Sequence, residues 1–451
     1  MDFQTFRQVA AEEAAALQIE EYELYYQLEE SASADAFRHE IKEVSAASEG
    51  GVCLRCLVNG RMGYASTQRL SEESARSLVR RAAGNAAVLE TSDPEFLVKT
   101  GQSYQPVSTN NAALPDAAAL RRTALSGQDA LYAQPGVVDG STTSVFAERV
   151  CIAIHNSHGL DLQYENTITS VSMEAVVSDG AEDGEKATEF RICAGALDQL
   201  DLPATAREIA SDARDALGAG VAPTGNMPVI FSPKAMSLLL NGFAEVFSAE
   251  NAQKGLSLLK GKEGTVIAAP SVTLVDDPFY ETSAMPMPFD AEGTPTRRKN
   301  VIENGVLNTL LYNLSTAAAA GKATTGNASK SRYDSKINIQ PFTMYLASGG
   351  LTQEQLLQKA QNGVLITSLG GLHAGANAIS GDFSLQSAGF LIENGQKTSP
   401  VRSFTVAGNF FDLLKGITAI ANDPQPPVFP ASSTAFISPS VLVEGLSIAG
   451  K

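Results

Sequence analysis

The sequence has no tryptophan and only four cysteines, four histidines and 33 basic residues among its 451. Each shortage removes a class of function. Four cysteines do not make the disulfide framework of a small secreted domain. Against 33 Lys and Arg stand 50 Asp and Glu, a net charge of −17. Binding to phosphate backbones needs a cationic footprint, and anionic membranes attract polybasic segments; neither partner is expected here. Arg297-Arg298-Lys299 is the one basic cluster. Strictly apolar runs fall far short of the ~20 residues that span a bilayer. The start, Met1-Asp2-Phe3-Gln4-Thr5, lacks the basic and apolar regions of a signal peptide. A cytoplasmic location is therefore expected. The chain also lacks a Gly-x-x-x-x-Gly-Lys-Ser/Thr phosphate loop and a Gly-x-Ser-x-Gly nucleophile elbow.

What remains is a core-forming composition, 44% apolar and 18% charged. The length suits two or three domains at ~150 residues each. Phe6, Val9, Ala10, Ala14 and Leu17 make a helical stripe. Tyr22, Leu24, Tyr26 and Leu28 then alternate with Glu, Tyr and Gln, as in a half-buried strand, and Phe37, His39 and Ile41 continue that period. Asn59-Gly60 tolerates the positive φ of a tight hairpin between residues 52–58 and 61–65. Ser71, with Glu72 and Glu73 behind it, reads as a capped helix start with acids at the positive dipole end. A further helix is expected over residues 116–132, antiparallel strands over 142–195, and another helix over 204–217. Gly218-Ala219-Gly220-Val221-Ala222-Pro223-Thr224-Gly225 is the clearest break. It divides residues 1–217, with subregions of about 1–90 and 110–217, from residues 229–451 across a linker at 218–228. Beyond it, Val229-Ile230-Phe231 reads as a buried strand. Ser232 and Pro233 open a helix predicted to run to Asn251.

Candidate chemistry is sparse. His155 and His158 flank a turn with no Glu beside them, so a hairpin accounts for them better than a metal. Cys53 and Cys56 lack the second pair of a zinc ribbon. Three apart on a strand, they face opposite ways. The densest polar segment is Gly370 to Phe383, where His373, Asn377, Ser380 and Asp382 stand among four glycines. A strand crossing stabilised by local hydrogen bonds is the competing reading.

Asp290-Ala291-Glu292-Gly293-Thr294-Pro295-Thr296 is followed by Val301-Ile302-Glu303-Asn304-Gly305-Val306-Leu307 and then by Thr325-Gly326-Asn327-Ala328-Ser329. Next come the 371–383 segment and Gly389-Phe390-Leu391-Ile392-Glu393-Asn394-Gly395. This ordered series resembles the TldD/PmbA family, once described as modulators of DNA gyrase, over essentially the whole chain. The resemblance is closest to the PmbA branch, also called TldE. It implies a two-domain α+β fold: N-terminal helices with antiparallel sheet, then a C-terminal domain dominated by antiparallel β-sheet. It also implies a role in proteolysis and maturation of unfolded peptides, as part of a metalloprotease complex.

In that family, TldD-type subunits carry a His-Glu-x-x-x-His zinc motif on the first helix of the C-terminal domain, with a Cys near the chain end. Here the corresponding positions are Leu240, Asn241 and Glu245, and no Cys follows Cys193. Zinc is therefore expected only in a TldD-type partner, and no cofactor in this chain. The expected assembly is a heterodimer with that partner, or a homodimer, acting on unfolded peptides. His373, Asn377, Ser380, Asp382 and Phe383 are the candidate peptide-binding or subunit-contact residues, with Asp290 and Glu292 positioning a neighbouring loop. A binding module for peptides or a toxin–antitoxin pair, independent of any protease, is the alternative. A hydrolase built from His373, Ser380 and Asp382 is a third reading, disfavoured by the missing elbow.

Overall fold

The computed structural model describes residues 1–90, 95–181 and 184–450. The first half is one sheet with helices on one face. Helix α1 (Phe3–Ala16) starts where the Asp2 carboxylate accepts from the Thr5 N–H, and buries Phe6, Ala10 and Ala14 one turn apart. Six strands follow, β1 (Glu21–Phe37), β2 (Glu40–Val58), β3 (Arg61–Thr67), β4 (Thr142–Asn156), β5 (Asp161–Ser178) and β6 (Lys186–Ala194). They form a single antiparallel sheet in the order β3-β2-β1-β4-β5-β6. The subregions read apart in the sequence thus share one sheet, joined where β1 pairs with β4. Helix α2 (Glu72–Val88) is capped by Ser71, α3 (Ala117–Tyr132) by Asp116 and α4 (Leu202–Asp215) by Asp201. With α1 they cover the face carrying Leu24, Leu54, Val145 and Val171.

Asn59 and Gly60 take φ of 52° and 74°, the mirror-image turn expected of that pair. The first hairpin turns elsewhere than the alternation suggested. Arg38 and His39 both have positive φ, so His39 sits in the turn and β2 runs from Glu40. Its imidazole stands beside Asp129 and packs against Tyr132 of α3, contacts that repay the unusual backbone.

The second half begins with β7 (Gly225–Phe231) and α5 (Pro233–Phe243), entered through the Ser232 cap and Pro233 as expected. The helix does not continue to Asn251. It ends at Phe243, tightens into a 3₁₀ turn over Ala244–Phe247, and restarts as Ala249–Gln253 under a new cap, Ser248. Backbone groups freed by this break are taken by a neighbouring segment. The Leu311 N–H donates to the Phe247 carbonyl, and the Ala249 N–H donates to the Leu311 carbonyl. Burial of Phe243, Val246 and Phe247 holds the kinked path in place.

Two larger sheets and a short antiparallel pairing of Ala328–Ser329 with Asn338–Ile339 complete this half among the described residues. One orders Val306–Leu307, Lys299–Glu303, Leu274–Asp277, Thr343–Leu346 and Ala435–Ile437. The other orders Gln396–Asn409, Asp382–Glu393, Gly363–Gly370, β7, Val441–Ala449 and Ile417–Ile420. Pairing of residues 405–407 with 447–449 closes the second sheet upon itself. The strand pairings within these two sheets are antiparallel except β7 with Gly363–Gly370 and Thr343–Leu346 with Ala435–Ile437. Phe243 stacks on Phe410 at 4.5 Å and meets Phe383 edge-on at 6.2 Å in the core between α5 and the closed sheet. The fold is α+β, with N-terminal helices on an antiparallel sheet and a β-rich C-terminal part. Among the described residues no helix is long and apolar enough to cross a membrane.

Candidate functional site

The N-terminal sheet has a second buried face. Glu23, Tyr25, Gln27 and Glu29 alternate along β1 opposite Leu24 and Tyr26, and β4 offers Glu148, Val150 and Ile152 beside them. In the sequence these polar positions read as the solvent side of a half-buried strand. Instead the C-terminal half lies over them. Glu23 is 2% exposed and Gln27 5%. Between the halves lies a cavity of about 370 Å³, walled by Tyr25, Gln27, Glu29 and Glu148 on one side. Met287, Asp290, Lys330 and Phe342 face them. Gln340 and residues 432–434 also line an adjoining pocket of about 310 Å³, which reaches Ser237, Leu238 and Asn241 of α5. The two form one cleft, running from the first helix of the C-terminal half to the N-terminal sheet.

Asp290 and Glu292 sit in a buried turn at this junction. Asp290 Oδ1 accepts from the N–H groups of Glu292 and Thr294, both at 2.9 Å, and Oδ2 accepts from the Ala328 N–H at 3.0 Å. Glu292 Oε2 accepts from the Leu314 N–H at 2.8 Å, at the start of the helix Leu314–Ala320. Its Oε1 lies 3.8 Å from Arg55 Nη1. Arg55 in turn holds Glu23 with both Nε and Nη2 at 2.8 Å and approaches Glu95 at 3.9 Å. Asn156 Nδ2 donates to the second Glu23 oxygen and to the Val98 carbonyl. An ionic network thus crosses the junction: β1 and β2 supply Glu23 and Arg55, and the C-terminal half supplies Glu292.

Burial raises both turn carboxylates. Asp290, whose charge three backbone N–H groups favour, is raised to about 6. Glu292 is raised to about 8, because burial and the neighbouring Asp290 charge outweigh Arg55. Burial thus favours a proton on this coupled pair of carboxyls toward neutrality. For Arg55, burial disfavours the charge, but Glu23 and Glu292 hold the guanidinium protonated.

Gly293 makes the turn possible. Its φ is +80°, and a Cβ there would stand 2.6 Å from Leu160 Cδ2, in the turn just before β5. We expect Gly293→Ala to cost about 2 kcal/mol, from the left-handed backbone and the clash together. Urea denaturation of the two proteins measures it; a change under about 0.5 kcal/mol, the range of an ordinary surface substitution, would show that the turn shifts freely.

The 371–383 segment lies elsewhere, against α5, where a Cβ on Gly242 would come within 2.7 Å of Leu372. Asn377 Oδ1 accepts from the N–H groups of Ile379 and Ser380, and the Asn377 N–H donates to the Asp382 carbonyl. Asp382 accepts from Asn409 Nδ2 at 2.9 Å. That bond, with Ser380, holds its carboxyl below the usual range. Phe383 is a core residue. His373 is exposed and, among the described residues, makes no hydrogen bond to Ser380 or Asp382; Ser380 Oγ accepts from the Asp382 N–H instead. The segment is a polar turn satisfied by its own groups, separate from the Asp290–Glu292 junction.

The motif positions on α5 diverge too. Leu240 is buried in the core, Asn241 is exposed and lines the cleft, and Glu245 is exposed in the 3₁₀ turn beyond the helix end. A hydrolytic zinc needs three protein ligands from Cys, His or carboxylate. An apolar core side chain, an amide and one carboxylate past the helix end do not fit it. Cys53 and Cys56 fall into different core clusters on the two faces of β2, and burial raises both thiols. His155 lies in β4, where burial lowers its pKa, while His158 follows in the turn organised by the Asn156 carboxamide.

Residues that sequence reasoning passed over carry the junction: Glu23, Gln27, Glu29, Arg55, Glu148 and Lys330. Asp276 is another. It is fully buried and accepts from Lys299 Nζ at 2.8 Å, Asn327 Nδ2 at 2.8 Å and the Phe342 N–H at 2.7 Å. Asn327 belongs to a quoted motif, and its task is to hold that buried carboxylate.

An α+β chain with a cleft between a helix-backed antiparallel sheet and a β-rich second half defines a class of known proteins. Family models for PmbA/TldA metallopeptidases match in three consecutive parts: domain 1 over residues 22–86, the central domain over 112–217, and the C-terminal domain over 224–450. The chain belongs to the PmbA/TldD family. It is 27% identical to the metalloprotease PmbA of Escherichia coli O157:H7, over 85% of this chain and 83% of that one. A Thermotoga maritima protein, solved as a candidate modulator of a DNA gyrase, superposes with a TM-score of 0.89 at 29% identity. That match covers 99% of this chain and all of the other. TldE from Thermococcus kodakarensis superposes with a TM-score of 0.84 at 25% identity, over 98% of this chain and 100% of that one.

Proposed function

We propose that this chain is the non-catalytic, PmbA/TldE-type subunit of a two-part metallopeptidase. Its partner is a zinc-bearing TldD-type subunit, and its substrates are unfolded peptides undergoing proteolysis or maturation. The observation that carries this reading is α5 itself. Its cleft-facing motif position is Asn241, the preceding one is the core residue Leu240, and the helix stops before Glu245. The likeness to TldE supports the same branch. The cleft supports peptide handling. Ala435 and Phe436 of the edge strand Ala435–Ile437 line it together with Ser237, Leu238 and Asn241, and a strand edge offers main-chain bonds to an extended segment with little sequence preference.

The test uses the purified chain alone and with a TldD-type partner, on a fluorogenic unstructured peptide. Cleavage is expected only in the mixture, abolished by a chelator, with zinc in the partner and far below one ion per copy of this chain. Chelator-sensitive cleavage by the lone chain would overturn the assignment. Peptide binding with no complex and no cleavage would favour a protease-independent binding module.

A further inference from the structure

Resting on the peptide-handling reading, the cleft carries a finer one. On its N-terminal wall, Gln27 Nε2 donates to Glu29 Oε1 at 2.5 Å, which orients the carboxamide and leaves its oxygen as an acceptor. That oxygen is buried and, among the described residues, has no hydrogen-bond partner, although Gln27 is only 5% exposed and lines the cavity. Buried amide oxygens are ordinarily satisfied. Next to it stand two carboxylates. Glu29 pairs across the strands with Val150, and Glu148 lies two residues away on the same face of β4. Among the described residues neither carboxylate has a cation within 4 Å, whereas the adjacent Glu30, on the other face of the sheet, is paired with Arg149. Burial and the Glu29 charge both raise the Glu148 carboxyl.

Lys330 is the only cation among the described residues lining this cavity. Its ammonium stands 5.0 Å over the Tyr25 ring rather than against Glu29 or Glu148. The set is therefore three acceptors, two of them anionic, and the one side-chain donor among the described residues that reaches them is the Gln27 carboxamide nitrogen, on Glu29. Val150, Ile152 and Met287 line the same cavity with apolar surface. Acceptors at the end of an apolar passage match a side chain with a methylene stem and a cationic head.

We propose that Gln27, Glu29 and Glu148 form a subsite that selects a basic side chain, lysine or arginine, of an extended peptide lying in the cleft. The head would donate to the Gln27 oxygen and relieve the repulsion between the two carboxylates. A non-catalytic subunit would then contribute preference to a complex whose main-chain contacts have little of their own.

Fluorescence anisotropy of the purified chain tests this with labelled, N-acetylated, unstructured peptides differing at one central position: lysine, arginine, norleucine or glutamate. We expect the basic peptides to bind about tenfold more tightly than the norleucine peptide, a difference of about 1.4 kcal/mol. The preference should shrink with added salt and vanish in E29Q/E148Q, whose Tm should stay near that of the parent. Equal binding of lysine and norleucine peptides, or a preference that survives E29Q/E148Q, would overturn the subsite while leaving peptide handling intact. Preference for an unacetylated norleucine peptide alone would assign the site to an amino terminus and overturn the side-chain reading. A second probe, Nα-acetyl-lysine methylamide, keeps the two levels distinct. If no peptide binds but this amide raises the Tm of the parent and not of E29Q/E148Q, peptide handling fails and the cation site stands. If neither binds, both fail.

Discussion

Arg55→Met should lower the unfolding free energy by about 3–5 kcal/mol, the cost of leaving buried charge without its partner. The methionine fills much of the arginine's volume, so little of the loss is a cavity. Glu23, with Arg55 nitrogens at 2.8 Å, would keep only Asn156 as a side-chain donor among the described residues. Glu292 would lose the one cation that opposes the rise in its pKa. Urea denaturation at neutral pH, followed by circular dichroism, gives the value. Adding Glu23→Gln to Arg55→Met should recover part of the loss, because the stranded charge is then removed. That partial recovery distinguishes a charge effect from general damage to packing. A single-variant loss below about 1 kcal/mol, the size of an exposed ion pair, would mean that solvent reaches this network.

The elements governed by short-range rules were legible in the sequence. The Ser71 and Ser232 caps and the Asn59-Gly60 hairpin each follow from a few adjacent residues. Alternation along β1 correctly separated Leu24 and Tyr26 from Glu23, Tyr25 and Gln27. It carried no information on what covers the second face, because that cover comes from distant segments, among them Met285, Met287 and Phe289. Period two tells that two faces differ; only tertiary packing tells whether the polar one is wet. Charged and amide side chains are mostly exposed, so the sequence offered no sign that Glu23, Gln27 and Arg55 are buried. The break in α5 escaped for a related reason. Residues 242–251 contain no proline, and the competing partner is the backbone of Leu311. The candidate residues divide the same way. Asp290 and Glu292 belong to a buried junction, whereas the glycines and polar groups of residues 371–383 mostly satisfy one another in a turn.

Glu292 should make the protein less stable as pH rises, against the usual behaviour of carboxylates. An ordinary paired carboxylate has a lowered pKa and stabilises the fold above it. Glu292 is raised from 4.5 to about 8 and Asp290 from 3.8 to about 6. Between the unfolded and folded values the native state holds more protons than the unfolded chain, so unfolding free energy falls with pH. The two carboxyls titrate as a coupled pair, and the fall spans the range from their ordinary values near pH 4 up to about pH 8. Each unit of raised pKa corresponds to about 1.4 kcal/mol, so a decline of at least ~2 kcal/mol across pH 5 to 8.5 is expected at this junction. Glu292→Gln removes the titrating proton and keeps an oxygen for the Leu314 N–H. Its unfolding free energy relative to the parent should therefore improve steadily from pH 5 to pH 8.5, where the parent carries an ionised Glu292. Paired urea titrations at several pH values measure that difference directly, because groups elsewhere titrate alike in both proteins and cancel. A difference independent of pH would show that Glu292 is already ionised in the native state, with Arg55 outweighing its burial.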